Sequence, residues 1–136
     1  YYPMGREEIE LRSGEGMNLD LTDEERDELL KYLEAHAGEA EETDLPIYLD
    51  SGDAENYGTE VHVGFTVLRG SAKAVDVTPL DSELDMYEVM PNDPGTVIYA
   101  ETVYEIPGCQ RRRAEFYFYR DGKWYCLTEI KMEKTE

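Results

Sequence analysis

Basic residues are scarce in this chain. Thirteen Lys and Arg stand against 32 Asp and Glu, giving a formal net charge of −19 over 136 residues. No Lys or Arg occurs from Tyr32 to Leu68, a stretch with nine acidic residues. None occurs from Ala74 to Gln110 either, where eight acids lie. So negative a chain repels phosphate, which argues against direct nucleic-acid binding. An anionic membrane surface is disfavoured on the same ground. Long apolar runs are also missing. No segment approaches the roughly 18 consecutive apolar residues of a spanning helix, so no membrane insertion is expected. Two cysteines, Cys109 and Cys126, are too few for a disulfide framework. Their spacing is compatible with one bridge or with two free thiols.

Catalytic signatures are absent as well. There is no GxSxG, P-loop, GxGxxG or HExxH. The only histidines, His36 and His62, do not come in the ligand pairs of a zinc site. No cofactor and no metal is expected, and a non-enzymatic role is favoured. The chain begins at Tyr1 rather than Met. That points weakly to an extracytoplasmic protein from which something was removed.

What is present argues for a folded domain. Aromatic residues make up 11% of the chain, whereas disorder needs high charge together with few aromatics. The length suits a single acidic domain over 1–136. The acids are unevenly placed. Residues 1–60 hold nineteen acids and four bases, and residues 61–136 hold thirteen and nine.

Hydrophobic periodicity divides the chain into one helix and about eight strands. Alternation from Arg6 to Arg12, the turn Ser13-Gly14-Glu15-Gly16, and renewed alternation at Leu19 and Leu21 predict a short hairpin. Thr22 with Glu25 forms a capping box, followed by Leu29, Leu30, Leu33 and Ala37 on one stripe. A helix over about 23–37 follows, with Gly38 as its terminator. Residues 39–44 read as an acidic connector, Leu45 to Leu49 as a strand, and Ser51 to Gly58 as a polar loop. The run Val61, Val63, Phe65, Val67 predicts a long strand, returning through the turn Gly70-Ser71 into Lys73 to Val77. Residues 80–90 hold a short strand, and Val97 to Ile106 another. Ala114–Tyr119 and Lys123–Met132 form a hairpin around Asp121-Gly122. The expected fold is α+β: an antiparallel sheet of about eight strands, curled and packed on the N-terminal helix.

Three groups of residues invite a functional reading. In the final hairpin, Asp121-Gly122 as the loop sets Phe118 against Tyr125 and Phe116 against Leu127 on one face. Tyr119 then faces Trp124, and Tyr117 faces Cys126, on the other. Arg111 and Arg113 share the Tyr117 and Tyr119 side, so Arg111, Arg113, Tyr117, Tyr119 and Trp124 form a candidate aromatic-Arg contact patch. The bland alternative is a second core layer, with the arginines paired to the protein's own acids. Glu39, Glu41, Glu42, Asp44, Asp50, Asp53 and Glu55 form a candidate acidic surface. Asp81, Glu83 and Asp85 would point one way in an extended strand, and Asp50, Asp53, Glu55 and Asn56 crowd one loop. Neither set has EF-hand spacing, so each reads better as a solvated face.

The favoured function is an acidic interaction domain that engages a basic protein surface. A nucleic-acid mimic that inhibits a DNA- or RNA-binding protein is the alternative. Phage-encoded anti-defence inhibitors, anti-CRISPR proteins among them, work in this way, but the analogy is one of charge and size. A small-ligand or enzymatic site in a curled sheet is a third reading.

Overall fold

The computed structural model describes residues 7–56 and 58–134. Arg6, where the first alternating run was expected to begin, lies outside the described residues, as does the Asn56 side chain. The fold is α+β: ten strands in a mostly antiparallel sheet that does not close, with one α-helix. The count exceeds the expected eight, in part because the segment read as an acidic connector contains a strand of its own; the segment read as a polar loop continues the strand before it.

The helix α1 spans Asp23–His36 and begins as the sequence dictates. Glu25 N–H donates to Thr22 Oγ1 at 3.1 Å, and Thr22 N–H donates to Glu25 Oε1 at 2.8 Å. Two orphan amides are thereby satisfied. Its end differs from expectation. The chain tightens into a 3₁₀ turn, Ala37–Glu39, with Ala37 as cap. Gly38 is no left-handed terminator.

The strands are β1 (Glu8–Arg12), β2 (Gly16–Met17), β3 (Glu41–Thr43), β4 (Ile47–Asn56), β5 (Thr59–Arg69), β6 (Ser71–Asp76), β7 (Asp85–Pro91), β8 (Val97–Ile106), β9 (Cys109–Arg120) and β10 (Lys123–Lys134). Their order in the sheet is β1-β6-β7-β4-β5-β8-β9-β10-β3, with β2 on β5. Strand β4 belongs to two neighbourhoods. Ile47 to Ser51 pair with β7, and Gly52 to Asn56 pair with β5. The change of partner falls at Gly52, whose φ is +122°.

Three local expectations give way to tertiary pairing. The N-terminal hairpin does not form, because β1 pairs with β6 and β2 with β5. At the turn, Gly14 N–H donates to Val67 O and Val67 N–H donates to Glu15 O. At Gly16 any Cβ would fall within 2.7 Å of Thr66 Cα, so this close approach needs glycine. Gly70-Ser71 is a corner between the two halves of the sheet, since β5 and β6 do not pair. Buried Thr96 holds it: Thr96 Oγ1 donates to Ser71 O at 2.9 Å and accepts from Ser71 N–H at 3.3 Å. The acidic connector contains β3, which pairs with β10, and the polar loop is the second half of β4.

Two apolar clusters result. The first joins Leu11, Ala74, Val89 and Leu49 of the β1-β6-β7-β4 half to Phe65, Ile98 and Tyr117 of the other. The second joins Leu33 and the flanking Leu29, Leu30 and Tyr32 of α1 to Tyr99, Phe116, Phe118 and Leu127. The β5-β8-β9-β10 region therefore has apolar residues on both faces, one under α1 and one under the folded-over remainder of the sheet. No helix among the described residues is long and apolar enough to cross a membrane.

Candidate interaction surface

The last turn of the sheet carries a concentration of carboxylates. In β4, β5 and β8, Glu55 stands opposite Glu60, and Glu60 opposite Glu105. Two register steps away, and so on the same face, Asp53 stands opposite His62 and His62 opposite Val103. Cross-strand partners share a face, and like charges set opposite one another destabilise a sheet. Glu55 and Glu60 have no ion-pair partner among the described residues.

His62 is the one basic side chain lining the groove beside this row. Its Nδ1 lies 2.7 Å from Asp53 Oδ1, and its Nε2 lies 2.9 Å from Glu105 Oε1. A neutral imidazole has one N–H, so both contacts are hydrogen bonds only in the protonated ring. The His62 pKa is accordingly raised, chiefly by the hydrogen bond to Asp53, with partial burial opposing and both carboxylates adding attraction. Ligand atoms of Glu60, His62 and Glu105 lie within 4.8 Å of one another. Both ring nitrogens lie within hydrogen-bonding distance of carboxylates, Asp53 on one side and Glu105 on the other.

The segment between β6 and β7 extends this surface. Ser82 Oγ donates to Leu84 O at 2.6 Å and accepts from Leu84 N–H at 3.2 Å. Asp76 Oδ1 accepts from Thr78 N–H and Thr78 Oγ1 at 2.9 and 2.6 Å. These bonds hold the Asp76 pKa below the ordinary value. Asp81 and Glu83 lie in turns, not in the extended strand that would align them with Asp85. Two shallow grooves result. One, of ≈ 320 Å³, is lined by Asp53, Ala54, Glu55, Glu60, His62 and Glu83. The other, of ≈ 390 Å³, runs past Asp50, Ala54, Asp81 and Glu83, with Val61, Leu84 and Met86 as its apolar part. No Lys or Arg lines either groove. Burial raises the Asp50 pKa.

The candidate acidic residues thus fall into two groups. Asp50, Asp53 and Glu55 line the grooves. Glu39, Glu41, Glu42 and Asp44 do not: β5, β8, β9 and β10 lie between β3 and β4 in sheet order. Glu39 contacts His36 at 3.1 Å, and Glu42 contacts Lys123 at 3.6 Å. Glu60 and Glu105 escaped sequence reasoning, since only the β5–β8 register aligns them across more than forty residues.

The hairpin register matches expectation pair for pair, yet the residues of the aromatic-Arg patch do not form one exposed surface. Tyr117 is buried in the first apolar cluster at 8% exposure. Tyr119 and Trp124 form an edge-on pair with centroids 5.6 Å apart at the hairpin end. Arg113 lies six residues away along β9, about 20 Å in an extended strand. It pairs with Glu115 at 3.0 Å, while Arg111 lies over the Tyr104 ring at 5.6 Å. Arg120 covers the Tyr125 ring at 4.4 Å and donates to Ala37 O at 2.9 Å, tying the hairpin to the end of α1. Cys109 and Cys126 are free. Cys109 pairs with Lys134, eight residues beyond Cys126 on β10, which sets the thiols about 26 Å apart.

A third groove, of ≈ 310 Å³, separates α1 from the sheet. Several of its polar groups pair with one another. Tyr99 donates to Glu101 at 2.9 Å, and Glu101 lies 3.6 Å from Arg112. Glu129 accepts a hydrogen bond from Tyr32, which pushes the Tyr32 pKa up to about 12. These contacts fasten helix to sheet. No family model, no curated protein and no solved structure matches this chain.

Proposed function

We propose that the protein is a non-enzymatic acidic interaction domain that engages a cationic protein surface through the two grooves beside His62. One observation carries this reading. Seven carboxylates from β4, β5, β8 and the segment before β7 surround these grooves or border His62: Asp50, Asp53, Glu55, Glu60, Asp81, Glu83 and Glu105. The Glu55–Glu60–Glu105 row opposes its own folding. A Lys- or Arg-bearing partner would relieve that repulsion and gain charge-assisted hydrogen bonds. The adjacent Val61, Leu84 and Met86 offer apolar contact for the stem of such a side chain.

The test is fluorescence anisotropy with a labelled Lys/Arg-rich peptide, at low and at physiological ionic strength. Binding that weakens steeply with salt and is lost in E55Q/E60Q/E83Q supports the reading. Equal binding by that variant and by a variant neutralised at Glu8 and Glu10 removes it. The nucleic-acid mimic is a second reading of the same row, whose three carboxylates recur at the strand spacing of about 4.8 Å. Competition between this protein and duplex DNA for a basic DNA-binding protein tests it. Failure to displace the duplex rejects the mimic while leaving the peptide result standing.

A further inference from the structure

We propose that β10 pairs with β10 of a second copy of this chain, in an antiparallel, two-fold symmetric register centred on Ile130. β10 runs from Lys123 to Lys134, but β3 covers only Trp124, Tyr125 and Cys126 on its outer side. From Leu127 onward the outer edge has no backbone partner among the described residues. A long open edge of this kind is a template for another strand. It also carries two of the most exposed apolar side chains in the structure, Ile130 at 52% and Met132 at 67%.

The sequence of the edge selects the occupant. In a two-fold antiparallel pair with matching faces, residue numbers on opposite strands add up to an even constant. Centring on Ile130 uses 127–133 of each copy and stops where β3 begins. Glu129 then faces Lys131 of the second copy, twice by symmetry. Ile130 faces Ile130 and Thr128 faces Met132 on the other side, covering both exposed apolar residues. Centring on Lys131 instead sets Lys131 against itself and Glu129 against Glu133. Centring on Glu129 sets two carboxylates together and runs into β3. Centring on Met132 also pairs Lys131 with Glu133 but uses only residues 130–134 of the strand, whereas the Ile130 register pairs opposite charges over the whole free edge, with Leu127 beside Glu133 as its one mismatch at each end. The location is also electrostatically permissive, since residues 109–134 hold seven basic and four acidic residues in an otherwise acidic chain. This surface is separate from the grooves beside His62, and either proposal can fail without the other.

Sedimentation velocity on the full chain over a wide concentration range, at moderate ionic strength, tests the pairing. A reversible dimer is expected. K131E sets carboxylates opposite each other at both symmetric positions and should raise the dissociation constant about tenfold, given two cross-strand pairs lost. The charge-exchanged E129K/K131E should return to within about threefold of the original. I130D should be monomeric. Far-ultraviolet circular dichroism checks that each variant is folded. Should the exchange disturb the Tyr32–Glu129 contact, K131E and I130D decide the matter by themselves. A wild-type chain that stays monomeric throughout, or a dimer indifferent to K131E and I130D, overturns the proposal.

Discussion

His62 and Asp53, on neighbouring strands, face each other in register with Nδ1 and Oδ1 2.7 Å apart. Glu105 holds the other ring nitrogen at 2.9 Å. A single imidazole therefore links three strands, β4, β5 and β8, at the end of the sheet where carboxylates concentrate. Glu55 and Glu60 face it from the adjoining row.

This geometry fixes a pH dependence. The folded His62 pKa lies above the ordinary value. The stability it contributes is complete below about pH 6.5, the unfolded value, and is lost as pH rises through the folded value. Urea unfolding of the wild type and of H62Q should differ most on the acidic side of neutrality and converge in alkali. A difference that stays constant from pH 5.5 to 9 would show that the bridge does not titrate.

Glu60 stands between Glu55 and Glu105. E60Q should raise stability, by about 0.2–1 kcal/mol, because it removes two like-charge oppositions. The same change should weaken binding of a cationic peptide and flatten its salt dependence. Equilibrium unfolding and anisotropy on one preparation check both arms. A stability gain with no loss of binding would mean that the row is only a solvated edge.

Thr22 closes the capping box at the start of α1. T22A should cost about 1 kcal/mol in urea unfolding, and T22S should restore most of it. The helix covers Phe116, Phe118 and Leu127, so the loss should appear in the global transition rather than as local fraying.

Two glycines should respond in opposite directions. Gly70 has φ +80°, and a Cβ there would lie 2.8 Å from Thr96 Cα. G70A should destabilise by more than about 1 kcal/mol. A Cβ at Gly38 meets nothing within 4 Å, so G38A should be neutral or stabilising by up to about 1 kcal/mol. Thermal denaturation of both variants compares them directly.

The features legible in the sequence are short-range. The capping box joins residues three apart, and the Asp121-Gly122 turn fixes β9–β10 register from Lys123↔Arg120 outward, as expected from the sequence. In each case the signal and the structure it specifies lie within one turn of chain. The N-terminal hairpin and the Gly70-Ser71 return were expected on equally local grounds, and both failed. Their turn residues were read correctly, but β5 offered β2 a better partner than β1 did, and Thr96 drew Ser71 into a corner.

The sequence by itself determined the α+β class, the helix and its cap, the final hairpin and the surplus of acid. Local hydrogen bonds and side-chain alternation suffice for these. Only the tertiary structure decided which acids stand together. It set Glu60 and Glu105 beside Asp53 and Glu55, sent Glu39, Glu41, Glu42 and Asp44 to another edge, and buried Tyr117 away from Arg111 and Arg113. The physical reason is strand pairing between segments far apart in the chain. Its choice rests on which faces can be buried together, and no local pattern of charge or hydrophobicity carries that information.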